Sequence, residues 1–137
     1  MDIHYKINQP VSSHQFIALL KASTLAERRP VHDEGCMRGM VNNSNLMATA
    51  WDGERLVGIA RSMTDFHYAC YLSDLAVDLA WQGRGIGRQL LEMTRQKCGP
   101  YCKLILVAAP AADSYYRDLG FDNNPRCWTL PPERPLG

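Results

Sequence analysis

A chain of 137 residues is one domain's worth of polypeptide, long enough to bury about two-thirds of its unfolded surface around a single core, which argues against a multidomain machine. With 46% hydrophobic and 21% charged residues it lies far from the polar, highly charged mixtures that stay unfolded. Fifteen basic and fourteen acidic residues leave a net charge of +1, and no segment gathers the Lys/Arg density that binding to a phosphate backbone requires, so nucleic acid is not an expected partner.

The opening residues, MDIHYKINQPVSSHQF, contain no basic region followed by a long apolar run, and no window approaches the roughly eighteen apolar residues of a membrane span. The expectation is a soluble, cytoplasmic chain without a membrane partner. Ile3–Ile7 reads as a short strand. Ser12, three residues before Gln15 and just ahead of Phe16, Leu19 and Leu20, forms a capping box that opens an amphipathic helix. The stretch from Thr24 to Asn45 mixes Arg28-Arg29-Pro30 with Asp33-Glu34 and reads as an irregular, mobile connection with one short helix near Met37–Val41.

Leu46–Trp51 and Leu56–Met63 are β-rich runs separated by Asp52-Gly53, a dipeptide suited to the positive φ of a tight hairpin. After a turn at Asp65-Phe66-His67, Tyr68–Val77 predicts a third long strand. From Gly85 the apolar stripe Ile86, Leu90, Met93, Thr94, Lys97 and Cys98 has helical spacing and stops at Gly99-Pro100. Leu104–Ala108 predicts a strand, Ala111–Leu119 a short helix, and Cys127–Leu130 a last strand. Residues 131–137, PPERPLG, predict an extended or disordered tail. The pattern predicts a mixed α+β (α/β) fold: an antiparallel meander followed by strand, helix and strand, with six to seven strands and helices on both faces.

Five cysteines, Cys36, Cys70, Cys98, Cys102 and Cys127, show neither CxxC spacing nor accompanying histidines, so they read as reduced structural thiols with no metal site.

The segment richest in chemistry is Leu75–Glu92, LAVDLAWQGRGIGRQLLE, in which a strand runs into Gly83, Gly85 and Gly87 and then directly into a helix. Glycines admit a ligand close to the backbone, and the first free N–H groups of the helix favour an anion there. The spacing excludes a P-loop, which needs GxxxxGK[ST]. It also departs from the GxGxxG of a dinucleotide turn, and the next strand ends Val107-Ala108-Ala109-Pro110 without an acidic residue for a ribose.

Gln82-Gly83-Arg84-Gly85-Ile86-Gly87 resembles the [QR]-x-x-G-x-[GA] signature of GNAT-type N-acetyltransferases. Downstream, Ala112-Asp113-Ser114-Tyr115-Tyr116-Arg117-Asp118-Leu119-Gly120-Phe121 resembles the family's A-x-x-[FY]-Y-x-x-x-G-F. The two occur in the family's order, joined by one strand, and the resemblance spans Leu46 to Trp128. It implies a single GNAT-like domain over 1–130 that uses acetyl-CoA as co-substrate and no metal. It further implies that the backbone of Leu75, Ala76 and Val77 meets the pantetheine arm and the thioester carbonyl, and that Gln82, Gly83, Arg84, Gly85, Ile86, Gly87 and Arg88 surround the pyrophosphate. Tyr116 matches the tyrosine that protonates the departing thiolate. The position three before Ala112, often Asn in the family, is Ala109 here, which removes one cofactor contact.

Aminolysis of a thioester also needs a group to take the ammonium proton, because an alkylamine has a pKa of about 10.4. Ser73 and Asp74 adjoin the active strand end and are the candidates: Asp74 is the better base by chemistry, while on a regular strand Ser73 shares a face with Tyr71, Leu75 and Val77. The acceptor is expected to be a small-molecule primary amine, with a protein amine as a second class; a homodimer is left open. The competing reading is a non-catalytic acyl-CoA-binding or sensing module of the same fold.

Overall fold

In the computed structural model, residues 2–137 are described, and they fall into two compact units, one ending at Val107 and the other spanning Ala108–Gly137. The first unit is built on a five-stranded sheet in the order β1-β2-β3-β4-β5: His4–Ile7, Leu46–Asp52, Arg55–Thr64, Ala69–Val77 and Lys103–Ile105. The first four strands pair antiparallel and β4 pairs parallel with β5. Six to seven strands were expected; the described residues form five, with no strand over 127–130, and the fifth strand ends at Ile105 rather than Ala108. No helix among the described residues is long and apolar enough to cross a membrane.

Local chemistry explains most boundaries. Helix α1, Ser13–Ser23, opens on a complete capping box: Ser12 Oγ accepts from the Gln15 N–H, and the Gln15 side chain accepts from the Ser12 N–H. Helix α2, Glu34–Asn42, is capped by Asp33, whose carboxylate accepts from the Cys36 N–H. The β2–β3 hairpin turns at Gly53-Glu54, with Gly53 at φ 59°. Helix α3, Ile86–Gln96, follows β4 after a 3-10 turn at Leu79–Trp81.

Two packed layers follow from strand alternation. Gly58 lies beneath α3, where an added Cβ would stand 3.1 Å from both Ile86 Cγ2 and Leu90 Cδ1, so any larger residue would have to push these side chains aside for the helix to stay this close. Its neighbour Ile59 points to the opposite face and packs with Phe16, Leu19, Leu20, Met37 and Val41 of α1 and α2. Trp51 is buried in that same core, and its indole N–H donates to Thr49 Oγ1 at 2.7 Å. Helices therefore cover both faces, as the sequence pattern implied.

The second unit contains a 3-10 turn at Pro110–Ala112 leading into helix α4, Asp113–Asp118. The helix ends at Gly120, with φ 93°, and the Phe121 N–H donates to the Tyr116 carbonyl at 3.0 Å.

Candidate active site

The end of β4 is an open strand edge. Among the described residues β5 pairs with β4 only over Ala69–Tyr71, so Ser73 to Val77 have no strand partner on that side. On the other side the Asp78 N–H donates to the Val57 carbonyl, which makes Gly58 and Val77 a non-hydrogen-bonded pair across β3 and β4. By alternation Ile59 and Ala76 exchange ladder bonds, while Ala60 and Leu75 do not. The N–H groups of Leu75 and Val77 therefore point to the open edge. Ala76, the middle one of the three, points its backbone into the sheet and buries its side chain in the core, so its N–H does not face that edge.

The edge has a defined end. Gln82 Nε2 donates to the Val77 carbonyl at 2.9 Å, returning across the 3-10 turn. Asp78 caps that turn through the Ala80 N–H and pairs with Arg55 at 2.8 Å. Gly83 and Gly85 then sit at φ 78° and 79°, in the left-handed region, and an added Cβ at either would meet no atom within 4 Å. The backbone conformation favours glycine here, and no atom of the described residues crowds either Cβ position.

Gly85 is the N-cap of α3 and lacks a side-chain cap, and the first intrahelical bond runs from the Gln89 N–H to the Gly85 carbonyl. The N–H groups of Ile86, Gly87 and Arg88 thus precede the helix ladder and are oriented for an anion. Ile86 buries its side chain beneath the helix and offers only its backbone. Arg88 is exposed, while the Arg84 guanidinium lies 4.8 Å from the ring centroid of Trp81, a stacked cation held beside the turn.

The two base candidates do not occupy a regular strand. The β3–β4 register shifts between Arg61 and Ser62, pairing Arg61 with Asp74 and Ser62 with Leu72, so Ser73 is an extra, bulged residue. Leu72 and Asp74 consequently lie on opposite faces, and Tyr71 no longer shares a face with Leu75. Asp74 turns into the α1/α2 side. Its side chain is fully buried, with Oδ1 accepting from Arg29 Nε and Oδ2 from Arg61 Nε, each at 2.5 Å. This corrects the expectation of Asp74 as the proton acceptor: a carboxylate clamped between two guanidiniums and shielded from solvent is not placed to meet an incoming amine. Ser73 is half-buried, its Oγ accepts from Arg61 Nη2 at 2.9 Å, and its carbonyl accepts from Arg29 Nη2 at 2.9 Å. Neither arginine was singled out for this position, although a lone Arg inside the apolar run Leu56–Met63 was the available signal.

Within the second unit Tyr116 lies on α4 between two aromatic neighbours, edge-on to Tyr115 at 5.3 Å and to Phe121 at 5.4 Å. Among the cysteines, burial and the neighbouring thiols of Cys102 and Cys70 push the Cys98 thiol up to about 12, so it stays protonated.

The family model for the acetyltransferase (GNAT) domain matches residues 18–126. The chain belongs to the GNAT acetyltransferase family. A histone acetyltransferase from Glycine max, TAP1, is 31% identical over 77 residues, covering 53% of this chain and 32% of that protein. The chain thus matches only about a third of that relative's length. Among solved structures, a probable acetyltransferase from meticillin-resistant Staphylococcus aureus shares the fold with a TM-score of 0.75 at 19% identity, covering 94% of this chain and 97% of the other. The aminoglycoside N-acetyltransferase AAC(6')-Iy, solved in complex with CoA, shares it with a TM-score of 0.69 at 15% identity, covering 98% of each chain.

Proposed function

We propose that this GNAT protein is a cytoplasmic acetyl-CoA-dependent N-acetyltransferase, moving the acetyl group directly to a primary amine within a ternary complex. The observation that carries the reading is the continuity of an open strand edge, bearing the Leu75 and Val77 N–H groups, with a glycine turn and a helix start that present backbone donors. Such a run of donors suits an extended amide-bearing arm that ends in a pyrophosphate.

Acetyl-CoA supplies the activated acyl group. Gly83 to Arg88 hold its pyrophosphate through backbone N–H groups, and the exposed Arg88 with the stacked Arg84 adds positive charge beside them. The Leu75 N–H stabilises charge developing on the thioester oxygen; loss of one such donor typically costs about 100-fold or more in turnover. Tyr116 delivers the proton to the departing thiolate, a role typically worth about 100-fold or more. With Asp74 occupied by two arginines, the amine's proton leaves through water at the Ser73 hydroxyl.

Aminoglycoside acetyltransferases among the structural neighbours make a small amine the favoured acceptor class, and the Glycine max relative keeps a protein amine in play. The test is incubation with acetyl-CoA and a panel of polyamines, amino acids, aminoglycosides and peptides, read by mass spectrometry. Addition of acetyl to one amine class supports the reading. Binding of CoA without transfer to any amine would replace it with an acyl-CoA-binding module.

A further inference from the structure

A bulge in β4 directs the Leu75 N–H to the open edge, and the bulge is held by side chains from two distant segments. Arg29 follows the 3-10 turn Leu25–Arg28 in the connection between α1 and α2, 44 residues before Ser73 in sequence. Its Nη2 donates to the Ser73 carbonyl, its Nε to Asp74, and its Nη1 to the Arg28 carbonyl at 2.9 Å, which tethers the connection to β4. Arg61, on β3, donates through Nε to the other Asp74 oxygen and through Nη2 to Ser73 Oγ. Its Nη1 reaches the Met40 carbonyl at 3.0 Å and Ser44 Oγ at 2.9 Å, at the end of α2. The ring of Phe16 lies 5.8 Å from the Arg61 guanidinium carbon and closes the cluster from α1.

Both polar groups that the bulged residue exposes outside the ladder, its carbonyl and its hydroxyl, are therefore gripped by a guanidinium, and Asp74 joins the two grips. A generic buried ion pair would stabilise little over an apolar replacement; its better-attested use is to select one arrangement of the chain among several. Here the arrangement selected is the two-for-one count at Ser73. Without it the strand has two alternatives: it returns to regular pairing and reverses which of residues 74–77 face the open edge, or it leaves the bulge unfixed.

We propose that Arg29, with Arg61 and through Asp74, acts as a positioning residue for acetyl transfer, fixing the Ser73 bulge and with it the aim of the Leu75 N–H. This rests on the acetyltransferase reading above. Arg29 touches no reacting atom, and its side chain is 22% exposed, so it is replaceable with less damage to the core than Arg61, which is 4% exposed.

The test compares Arg29→Met, Arg29→Lys and, as a control on the exposed Glu34–Arg38 pair, Arg38→Met. Backbone amide spectra of the free proteins and CoA titrations need no acceptor; turnover is measured with the best amine from the panel. In Arg29→Met the Leu75 and Val77 amide resonances should move while those of Ile86 and Gly87 stay. CoA affinity and the KM for acetyl-CoA should remain within about twofold, and kcat should fall about 10-fold or more, as expected for a group felt mainly in the transition state. Arg29→Lys should recover part of kcat, and Arg38→Met should match the wild type. Unmoved Leu75 and Val77 resonances, or an unchanged kcat, in folded Arg29→Met would overturn the proposal. Failure of the wild-type protein to acetylate any amine would instead overturn the activity reading, and the amide resonances would still decide whether Arg29 sets the bulge.

Discussion

The side-chain amide of Gln82 donates to the carbonyl of Val77 at 2.9 Å, so the residue that opens the glycine turn also closes the end of the open strand edge. The contact removes one acceptor from the edge and fixes the turn relative to the Leu75 and Val77 N–H donors. Gln82→Leu keeps the bulk and removes the donor. CoA affinity should fall about 3- to 10-fold in calorimetric titration, the range expected for one hydrogen bond worth about 1 kcal/mol. Unchanged affinity would show that the turn holds its shape without this brace.

Asp74→Asn leaves the buried Arg61 guanidinium and the partly exposed Arg29 guanidinium sharing a neutral partner. Breaking a buried ion pair by removing one partner typically costs about 3–5 kcal/mol, so a clear loss of stability in urea unfolding is expected. If transfer remains measurable, the pH profile of kcat/KM should retain its acidic limb, because the ionisation that limits it belongs to another group. Loss of that limb in a folded Asp74→Asn protein would restore Asp74 as the base.

Asp65 Oδ1 accepts three backbone N–H bonds, from His67, Tyr68 and Ala69, at 2.8 to 3.0 Å. The bonds from Tyr68, Ala69 and His67, in that order, lower its pKa from 3.8 to about 2. A depressed folded-state pKa stabilises the turn above 3.8, and that contribution fades as the pH falls through about 2. Thermal melts of wild type and Asp65→Asn should therefore differ most above pH 4, with the gap narrowing towards pH 2. A gap independent of pH would mean that the charge of Asp65 plays no part in holding the turn.

Much of this architecture was legible because its causes are local. The Ser12–Gln15 capping box, the glycine at position 53 and the apolar stripe from Ile86 each act within a few residues, and each produced the expected element. The Ser73 bulge was not legible. Its carbonyl and hydroxyl are held by Arg29 and Arg61, 44 and 12 residues away in sequence; the apolar run around Arg61 hinted that this arginine is buried, but no local pattern shows which strand residue it meets, and nothing around Arg29 separates it from a solvated arginine. The same difficulty affects the 24–45 connection. Its mixed charges look like those of a mobile surface loop, yet Arg29 anchors it to β4, Asp33 caps α2 and Glu34 pairs with Arg38. The strand expected over 127–130 had the right composition, but strand propensity forms no strand without a neighbour to complete a ladder.

Tyr116→Phe removes only the hydroxyl and keeps the ring that meets Tyr115 and Phe121 edge-on. Turnover should fall at least about 10-fold while CoA affinity stays within twofold, the pattern of a group that acts in the transition state. Equal turnover would leave Tyr116 as an aromatic packing residue of its own unit.

The central claim is that the turn from Gly83 to Arg88 holds the pyrophosphate of acetyl-CoA, and a CoA titration of Gly85→Glu beside Gly85→Ala tests it most directly. Both variants bear the strain of a side chain at φ 79°, about 1–2 kcal/mol, but only glutamate adds a negative charge. The account predicts a reduction of about 10-fold or less for Gly85→Ala from imperfect turn geometry, and loss of measurable binding for Gly85→Glu from repulsion at the helix start. CoA bound by a folded Gly85→Glu protein as tightly as by Gly85→Ala would contradict it.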